Sequence, residues 1–473
     1  MSDQQTGLRT RLAYGVGGIA TSVKDAAVVH FVSFFFTQVA GLPAFMFGWA
    51  AGIAQIVDAV LDPIIGTVSD NHRSRLGRRH PFMLGAVIPY AFGFVLFFSP
   101  PAGLSHWGLF AWAAGFSILL RVLLSVFAIP HAALGAELST DYVERTTIAG
   151  YRTMLAWLGG ILLPAGAYIF VFQSAGDGDP RLVAANYQTY AWISAALILV
   201  SCGVSALGTR SEIPRLPVPR EVRKLSLADP FRDVAEALKN RNFRRVFIAL
   251  VGVGAVTGVS TMLGTYTSVY FWQFSPDETG LLTFAAVLPT LFAFAVMKPL
   301  SARFEKKPLY LATLSLFILS ALWFTSGRLL GFLPENGTRA LIVLAIVNQF
   351  AVVTALVLNG TVWASMIADI ADEHEVETGE RKDGVFFAAQ AFGLKIPTGL
   401  GQMAGGFLIG WIGIEKGMQP GAVPEEVLFR LGLTAGPLVA LSLIAPLVVM
   451  AGFDLSRARQ RVLRETLDAR AKH

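Results

Sequence analysis

The sequence predicts an all-α membrane protein of about twelve transmembrane helices. The chain is 54% hydrophobic and only 15% charged, whereas soluble domains carry roughly 25% charged residues. Apolar stretches long enough to cross a bilayer recur along the whole chain. The predicted spans, numbered 1 to 12 in chain order, cover residues 12–42, 43–68, 81–103, 106–136, 147–174, 185–208, 246–274, 279–302, 308–332, 338–367, 384–413 and 428–453.

The segments between the predicted spans alternate in charge. Most of the 38 lysines and arginines fall on one side of this alternation. The positive-inside rule therefore places both termini in the cytoplasm, as an even number of spans requires. The net charge of +6 is thus explained by basic loops on the cytoplasmic side of the membrane, which argues against a nucleic-acid partner. The single Cys202 excludes a disulfide framework, and the polar N-terminus gives no sign of a signal peptide.

The longest polar segment divides the chain into two halves of six spans. Motifs repeat between the halves: "GAELSTDYVERTTIAGYRTM" after span 4 is similar to "ADIADEHEVETGERKDGVFF" after span 10, and "RSRLGRRHP" is similar to "RFEKKP". Such repeats are typical of secondary transporters, whose substrate site lies between the halves. The predicted parts are an N-terminal half (1–208), a cytoplasmic linker with a short amphipathic helix (209–243), a C-terminal half (244–453) and a basic, lipid-facing cytoplasmic tail (454–473).

Asp58 and Asp62 are the most informative pair of residues. A charged side chain in the middle of a span costs about 2.5 kcal/mol or more, so it usually has a function. The spacing i, i+4 places both carboxylates on one helix face. Two close carboxylates cannot both ionise cheaply without a cation. The pair therefore predicts a site for a proton or a small cation, with a structural ion pair to a neighbouring lysine as the alternative.

Lys395 lies in the apolar span 11, far from either end. It is either a switchable partner of the two acids or part of a buried structural salt bridge. Lys24 and Asp25 introduce charge into span 1. Neighbouring side chains point roughly 100° apart on a helix and should not pair well, so we expect these two to contact a polar substrate. The alternative is that they neutralise each other across turns.

Arg121, Ser125 and Ala128 lie on one face of span 4 by their i, i+4, i+7 spacing. No nucleophile–base–acid set, HExxH or P-loop is present, so an enzyme is not expected. A channel is disfavoured because paired acids and a lysine suit ion coupling better than a selectivity ring.

Four stretches carry a family resemblance: "KDAAVVHFVSFFFTQVAGL", "DAVLDPIIGTVSDNHRSRLGRRHPFMLG", "AIPHAALGAEL" and "ADIADEHEVETGERKDGVFFAAQAFGLK". They resemble the glycoside–pentoside–hexuronide:cation symporters of the major facilitator superfamily, the group that includes melibiose permease. The similarity covers nearly the whole chain and keeps the motif order. It implies a monomeric, multi-pass symporter of the bacterial inner membrane that works by alternating access and needs no cofactor besides H⁺ or Na⁺.

The resemblance also implies roles for single residues. The coupling cation would be held by Asp58 and Asp62 with the Ser125 hydroxyl, and the two acids would be metal ligands only if the ion is Na⁺. The implied substrate-binding positions are Lys24, Asp25, Arg121, Ala128, Arg152, Gln390 and Lys395. The basic loop after span 2 matches a superfamily loop that gates closure, and its residues are Asp70, Arg75, Arg78 and Arg79.

Three departures from the family pattern narrow the function. Ala128 stands where melibiose permease has a sugar-binding aspartate, which argues against melibiose itself. Leu61 lies between the two acids, where sodium-using relatives place an oxygen, and this favours H⁺ over Na⁺. Arg121 adds a positive charge, which indicates an anionic substrate such as a uronide unless it pairs with one of the acids.

The sequence therefore predicts cation-coupled symport of a sugar, glycoside or hexuronide. The expected partners are this small molecule and membrane lipid. A carrier of a lipid-like or other amphipathic substrate is the alternative, because Ala128 and Gly360 leave room for a larger ligand.

Overall fold

A computed structural model describes residues 6–139, 141–173, 178–216 and 229–470, and within these ranges it contains helices and no β-strand. In the N-terminal half, the spans are Leu8–Val16, Gly18–Ala27, Val28–Val32 and Phe35–Val39 (span 1), Ala44–Asn71 (2), His80–Phe97 (3), His106–Glu137 (4), Tyr142–Gly166 and Ala167–Val171 (5), and Ala184–Gly208 (6). In the C-terminal half, they are Arg241–Tyr266 and Thr267–Phe271 (7), Pro276–Ala285 and Val287–Arg303 (8), Lys306–Leu329 (9), Arg339–Thr378 (10), Asp383–Ile412 (11), and Glu425–Leu433, Thr434–Leu438, Val439–Ser442 and Ile444–Ala451 (12). Short helices also occur at Pro180–Leu182, Arg210–Arg215, Asp229–Ala237 and Arg457–Arg470.

Ten of these helical segments are long and apolar enough to cross a membrane. Spans 1 and 11 complete the set of twelve and differ from the others in composition. Span 1 is divided into shorter pieces and contains Lys24 and Asp25, while span 11 is rich in glycine and contains Lys395. Both of these spans carry predicted site residues, as do spans 2, 4 and 5.

The two halves meet mainly where span 2 packs against span 11 and where span 5 packs against span 8. Glycines make the first contact close. A Cβ atom added to Gly52 would lie 2.5 Å from the carbonyl oxygen of Gly399, and one added to Gly406 would lie 2.9 Å from the Cα atom of Gly48. Small residues let membrane helices pack with their backbones in contact. The acids of span 2, in the N-terminal half, therefore lie within reach of span 11.

We call the side of the bundle with Leu8, the linker helix Asp229–Ala237 and the tail helix Arg457–Arg470 the terminal face, and the other side the opposite face. The linker helix packs on span 11: the Phe231 ring lies 5.3 Å from that of Phe392, and Lys382 is 2.6 Å from Glu236. This ion pair lowers the pKa of the Glu236 carboxyl. The remainder of the linker, 217–228, is outside the described residues.

The tail helix docks on the protein, which corrects the prediction of a solvated helix against lipid. Arg459 lies 2.7 Å from the buried Glu373 of span 10, and Arg457 donates to the carbonyl oxygens of Ser301 and Phe304 at the end of span 8, at 2.6 and 3.0 Å. The acidic end of span 10 attracts the basic tail, and the apolar Leu463 is buried in the contact.

Within the described part of the chain, five π-helical turns lie in the parts of the spans that are near the opposite face. They are Val28–Val32 and Phe35–Val39 in span 1, Ala167–Val171 in span 5, Thr267–Phe271 in span 7 and Thr434–Leu438 in span 12. A π turn inserts one extra residue into a helix, changes the direction of the side chains that follow, and is frequent at functional sites.

Candidate functional site

A cluster of buried polar side chains joins spans 2, 4 and 11 in the middle of the bundle. The Lys395 Nζ atom lies 2.8 Å from Asp58 Oδ2 and also donates to Asp62 Oδ2. The Ser125 Oγ atom is 2.6 Å from Asp62 Oδ1 and 3.2 Å from Asp58 Oδ1. One ammonium and one hydroxyl therefore bridge the two carboxylates from opposite sides. The i, i+4 spacing on span 2 brings the acids together, as the sequence predicts.

Arg121 belongs to the same cluster. Its Nη1 atom is 3.7 Å from Asp58 Oδ2, and both side chains are buried. The positive charge of Arg121 is thus balanced by an acid of the neighbouring span. Of the two interpretations of this arginine, the geometry favours the ion pair over a free positive charge for an anionic substrate.

Lys24 and Asp25 form an ion pair with each other, so the expectation that these neighbours would not pair was wrong. The Lys24 Nζ atom lies 2.9 Å from Asp25 Oδ1. The flexible four-carbon stem of lysine spans the angle between adjacent helix positions. The Asp25 side chain remains 60% exposed in spite of its position within span 1, so its carboxylate is still accessible.

Two cavities lie at the interface between the halves, and the first of them adjoins this cluster. The first, of about 630 Å³, extends from Asp62 and Lys395 to Asp70 and Arg381 at the terminal face. The second, of about 490 Å³, lies nearer the opposite face. Its polar lining residues are His30, Tyr168, Ser260, Thr265, Thr267, Ser268, Thr279, Thr283 and Gln349. The serine and threonine residues among them gave no signal in the sequence, because hydroxyl groups are common in membrane helices.

Three predicted substrate residues lie outside the direct contacts of this cluster. Arg152 lies on span 5 against span 1, where a Cβ atom added to Gly18 would be 2.5 Å from the Arg152 carbonyl oxygen. Ala128 packs against the apolar core of the N-terminal half. Gln390 is half-buried on span 11, and five residues of helix rotate it roughly 140° from Lys395.

The basic loop between spans 2 and 3 is held by acids at the terminal face. Arg79 lies 2.5 Å from Asp70 and 2.8 Å from Glu137, and Arg78 lies 2.7 Å from Glu137. Arg75 is exposed. Glu137, the last residue of span 4, is therefore the central partner of this loop, and the sequence reasoning did not select it.

The C-terminal half contains a similar contact at the equivalent place. Lys306, which follows span 8, lies 2.5 Å from Asp369 near the terminal end of span 10. The two motif pairs that repeat in the sequence thus make the same kind of contact in each half, a basic loop residue against an acid at the end of a long span. This agrees with two halves of related structure.

The site contains few groups that suit a metal ion. Among the residues that the structure describes, no group of three or more His, Cys, Asp or Glu side chains is placed to hold one. The oxygen atoms that converge in the cluster come from Asp58, Asp62 and Ser125, and the Lys395 ammonium lies between the two carboxylates. The arrangement can hold a proton with little change, because a proton needs only one acceptor.

Twelve spans in two related halves, with a charged cluster and cavities between them, define a membrane-spanning secondary transporter of the major facilitator fold. The chain belongs to the family described as "MFS/sugar transport protein", whose pattern matches residues 13–457.

Relatives with similar sequences are transporters. An uncharacterized symporter of Synechocystis sp. is 25% identical over 100% of this chain and 99% of its own. The inner membrane symporter YicJ of Escherichia coli is 27% identical over 87% and 84% of the two chains. The isoprimeverose transporter of Lactiplantibacillus pentosus is 26% identical over 84% and 79%.

Two further comparisons extend this group. The sodium-dependent lysophosphatidylcholine symporter 1 of Mus musculus is 23% identical over 97% of this chain and 88% of its own. The crystal structure of the nucleoside transporter NupG superposes with a TM-score of 0.62 at 14% identity and covers 95% of this chain and 100% of that one. The latter likeness supports the fold alone.

Proposed function

We propose that the protein is a proton-coupled symporter of a neutral sugar or glycoside. The observation that carries the proposal is the position of Lys395, whose ammonium comes from one half and lies between two carboxylates of the other. The positive-inside rule makes the terminal face cytoplasmic, so the cavity at Asp62 opens to the cytoplasm in this conformation.

The coupling step follows from competition for the two acids. A cation that binds Asp58 or Asp62 weakens the attraction of that carboxylate for Lys395, because both partners use the same oxygens. The contact between span 2 and span 11 then loosens, and the halves can rock around the site. Release of the cation to the cytoplasm restores the Lys395 contact. Binding on one side and release on the other thereby accompany the change of access.

The choice of ion rests on the number of oxygens. Two carboxylates and the Ser125 hydroxyl converge, and the apolar Leu61 supplies no further ligand. Sodium requires several oxygen atoms around it, whereas a proton requires one. The oxygen-poor cluster therefore favours H⁺, with Na⁺ as the alternative.

The substrate class rests on charge balance. Asp25, Asp58 and Asp62 are matched by Lys24, Arg121 and Lys395, and each of these charges has a partner within the group. No surplus positive charge remains in this group for an acidic sugar, and Arg152, the other basic residue among the predicted substrate positions, lies outside the group against span 1. The uncharged lining of the 490 Å³ cavity suits hydroxyl groups, and the isoprimeverose transporter is a relative. A neutral glycoside is thus preferred over a uronide.

One observation favours an amphipathic substrate as a second candidate. An apolar groove of about 370 Å³ lies between spans 5 and 8, with Met154, Trp157, Leu291 and Phe294 in its walls. Ile161 lines both this groove and the polar cavity, so a polar ring and an apolar chain could occupy adjoining spaces. A relative is named for lysophosphatidylcholine, which has both parts.

The first test measures the change in external pH of lightly buffered, de-energised cells that express the protein. Neutral glycosides, uronides and alkyl glycosides are added in turn. Alkalinisation with a neutral glycoside that disappears in Asp62→Asn supports the proposal. Alkalinisation with a uronide alone would overturn the substrate class. Substrate uptake that responds to a sodium gradient and moves no protons would overturn the choice of ion.

A further inference from the structure

Gln38 is a buried polar residue that connects three segments at the opposite face. It lies in the π turn Phe35–Val39 of span 1 and is only 4% exposed. Its Oε1 atom accepts a hydrogen bond from the Tyr270 hydroxyl and another from the backbone N–H of Gly417, both at 3.1 Å. Tyr270 belongs to span 7, and Gly417 to the loop between spans 11 and 12. One oxygen of the N-terminal half thus holds two segments of the C-terminal half.

The surroundings of the Gln38 side chain are aromatic on the side of span 7, whereas Gly417 is exposed. The Phe34 ring lies 5.5 Å from the Tyr266 ring and 5.9 Å from the Tyr270 ring. The neighbouring Thr37 hydroxyl is hydrogen-bonded to the Tyr266 hydroxyl. A hydrogen bond in such an environment is stronger than one in water. The Tyr270 hydroxyl also lies 3.1 Å from the carbonyl oxygen of Met418 in its own half. Loss of the Gln38 acceptor therefore removes the contact between the halves but leaves Tyr270 one partner.

Both side chains of the main contact depend on irregular backbone. Gln38 and Tyr270 each lie in a π turn, Phe35–Val39 in span 1 and Thr267–Phe271 in span 7. These spans are the first of each half and occupy equivalent places. Because a π turn changes the direction of the following side chains, the two turns together direct the carboxamide and the hydroxyl toward the interface between the halves.

We propose that Gln38 is a positioning residue for the transport cycle that keeps the opposite face closed while the cavity is open at the terminal face. It has no role in binding the cation or the substrate. The hydrogen bonds to Tyr270 and Gly417 must break before spans 1 and 7 separate, and water must then replace them. Gln38 therefore sets the equilibrium between the two conformations. This inference holds for either coupling ion and any substrate.

A second glutamine provides a matched control. Gln173, at the end of span 5, also crosses between the halves at the opposite face, where its Nε2 atom is 3.1 Å from Asp277 Oδ1 of span 8. Unlike Gln38, it is exposed. Water replaces an exposed hydrogen bond with little change in free energy, so the same substitution at Gln173 should leave the equilibrium unchanged.

The experiment measures the access of a cysteine reporter from each side. Val29 lines the 490 Å³ cavity, and the native Cys202 is buried. The reporter is Val29→Cys in a Cys202→Ser background, labelled with a membrane-impermeant maleimide in right-side-out and inside-out vesicles. The tested variants are Gln38→Met, which keeps the length but removes the acceptor, and Gln173→Met.

We expect Gln38→Met to raise the labelling rate from the opposite face about fivefold, because it removes both hydrogen bonds that cross between the halves and only the Tyr270 hydroxyl has another acceptor. Gln173→Met should stay within about twofold of the parent rate. Equal labelling of Gln38→Met and the parent, or an equal rise in Gln173→Met, would overturn the proposal.

Tyr270→Phe keeps the test decisive if Gln38→Met does not fold. It removes the hydroxyl, whose other acceptor, the carbonyl oxygen of Met418, belongs to the same half and does not cross the interface. We therefore expect a rise of about threefold. Because the two side chains act through one contact, Gln38→Met combined with Tyr270→Phe should label no faster than Gln38→Met alone. No rise in Tyr270→Phe, or independent addition of the two effects, would contradict the assignment.

Discussion

Lys395 of span 11 reaches across the interface between the halves and places its ammonium 2.8 Å from Asp58 of span 2. The contact is close because glycines on both spans bring the two backbones together. The same ammonium also contacts Asp62. A single side chain of the C-terminal half therefore shares its one positive charge between the two acids of the N-terminal half, and Arg121 supplies the second positive charge. Because this lysine joins the two halves, the charge of the site is linked to the conformation.

Replacement of Lys395 by methionine should increase the affinity for the coupling cation. The two carboxylates would then be buried without their ammonium, and removal of one partner of a buried ion pair typically costs about 3–5 kcal/mol. A bound cation relieves this cost. We expect the half-saturating cation concentration to fall at least about tenfold and uphill accumulation to be lost, while downhill exchange continues.

Uptake measured over a range of cation concentrations checks this prediction. Lys298→Met is the control, because Lys298 is exposed on span 8, and it should behave as the parent. An unchanged cation dependence in Lys395→Met would show that the lysine and the cation do not compete.

Arg121→Gln should alter the coupling and not the choice of substrate. Arg121 is paired with Asp58, so its loss makes the acid pair more negative and should shift the cation dependence in the same direction as Lys395→Met. The ratio of neutral glycoside to uronide uptake should change by less than about twofold. A selective loss of uronide uptake would instead assign Arg121 to an anionic substrate.

Glu137→Gln should loosen the loop between spans 2 and 3. Glu137 accepts hydrogen bonds from Arg78 and Arg79, and Gln cannot form a salt bridge with either. We expect a loss of about 1–3 kcal/mol in stability, visible as a lower midpoint of thermal unfolding of the purified protein. Arg75→Gln, at an exposed position of the same loop, should leave the midpoint unchanged; an equal decrease would refute the central role of Glu137.

Arg459→Gln should weaken the docking of the tail helix. Its guanidinium lies 2.7 Å from Glu373, whose side chain is buried. Loss of this charge leaves Glu373 with the carboxamides of Asn240 and Asn242 as partners. We expect faster proteolysis of the tail and a lower unfolding midpoint, and neither effect in Arg461→Gln, because Arg461 is exposed. Identical proteolysis of the two variants would mean that the basic tail acts through its overall charge.

The sequence predicts the parts of the site that conflict with a membrane interior. Asp58, Asp62 and Lys395 were selected because each places a charge in an apolar span, and the structure brings them together. The repeated motifs likewise predict two related halves. This reasoning succeeds where the cost of burying a group is large.

Other contacts could not be predicted because their residues are unremarkable by themselves. Glu137 is one of several acids at the ends of spans, and only the folded chain shows that it receives Arg78 and Arg79. Gln38 is neutral, and its direction depends on a π turn that has no clear sequence signal. The Lys24–Asp25 pair was missed because the prediction considered only the directions in which adjacent Cβ atoms point. The ion pair forms at the end of the flexible lysine side chain, which can bend toward its neighbour.

The balanced charges of Lys24, Asp25, Asp58, Asp62, Arg121 and Lys395 have an electrical consequence. This group has no net charge when the cation is absent. The membrane potential therefore exerts no net force on the group when the empty carrier changes back to the conformation that is open at the opposite face. One bound cation with a neutral substrate adds a single positive charge, and 100 mV then contributes up to about 2.3 kcal/mol to its inward movement. Transport would be electrogenic, and voltage alone would drive accumulation without any ion gradient.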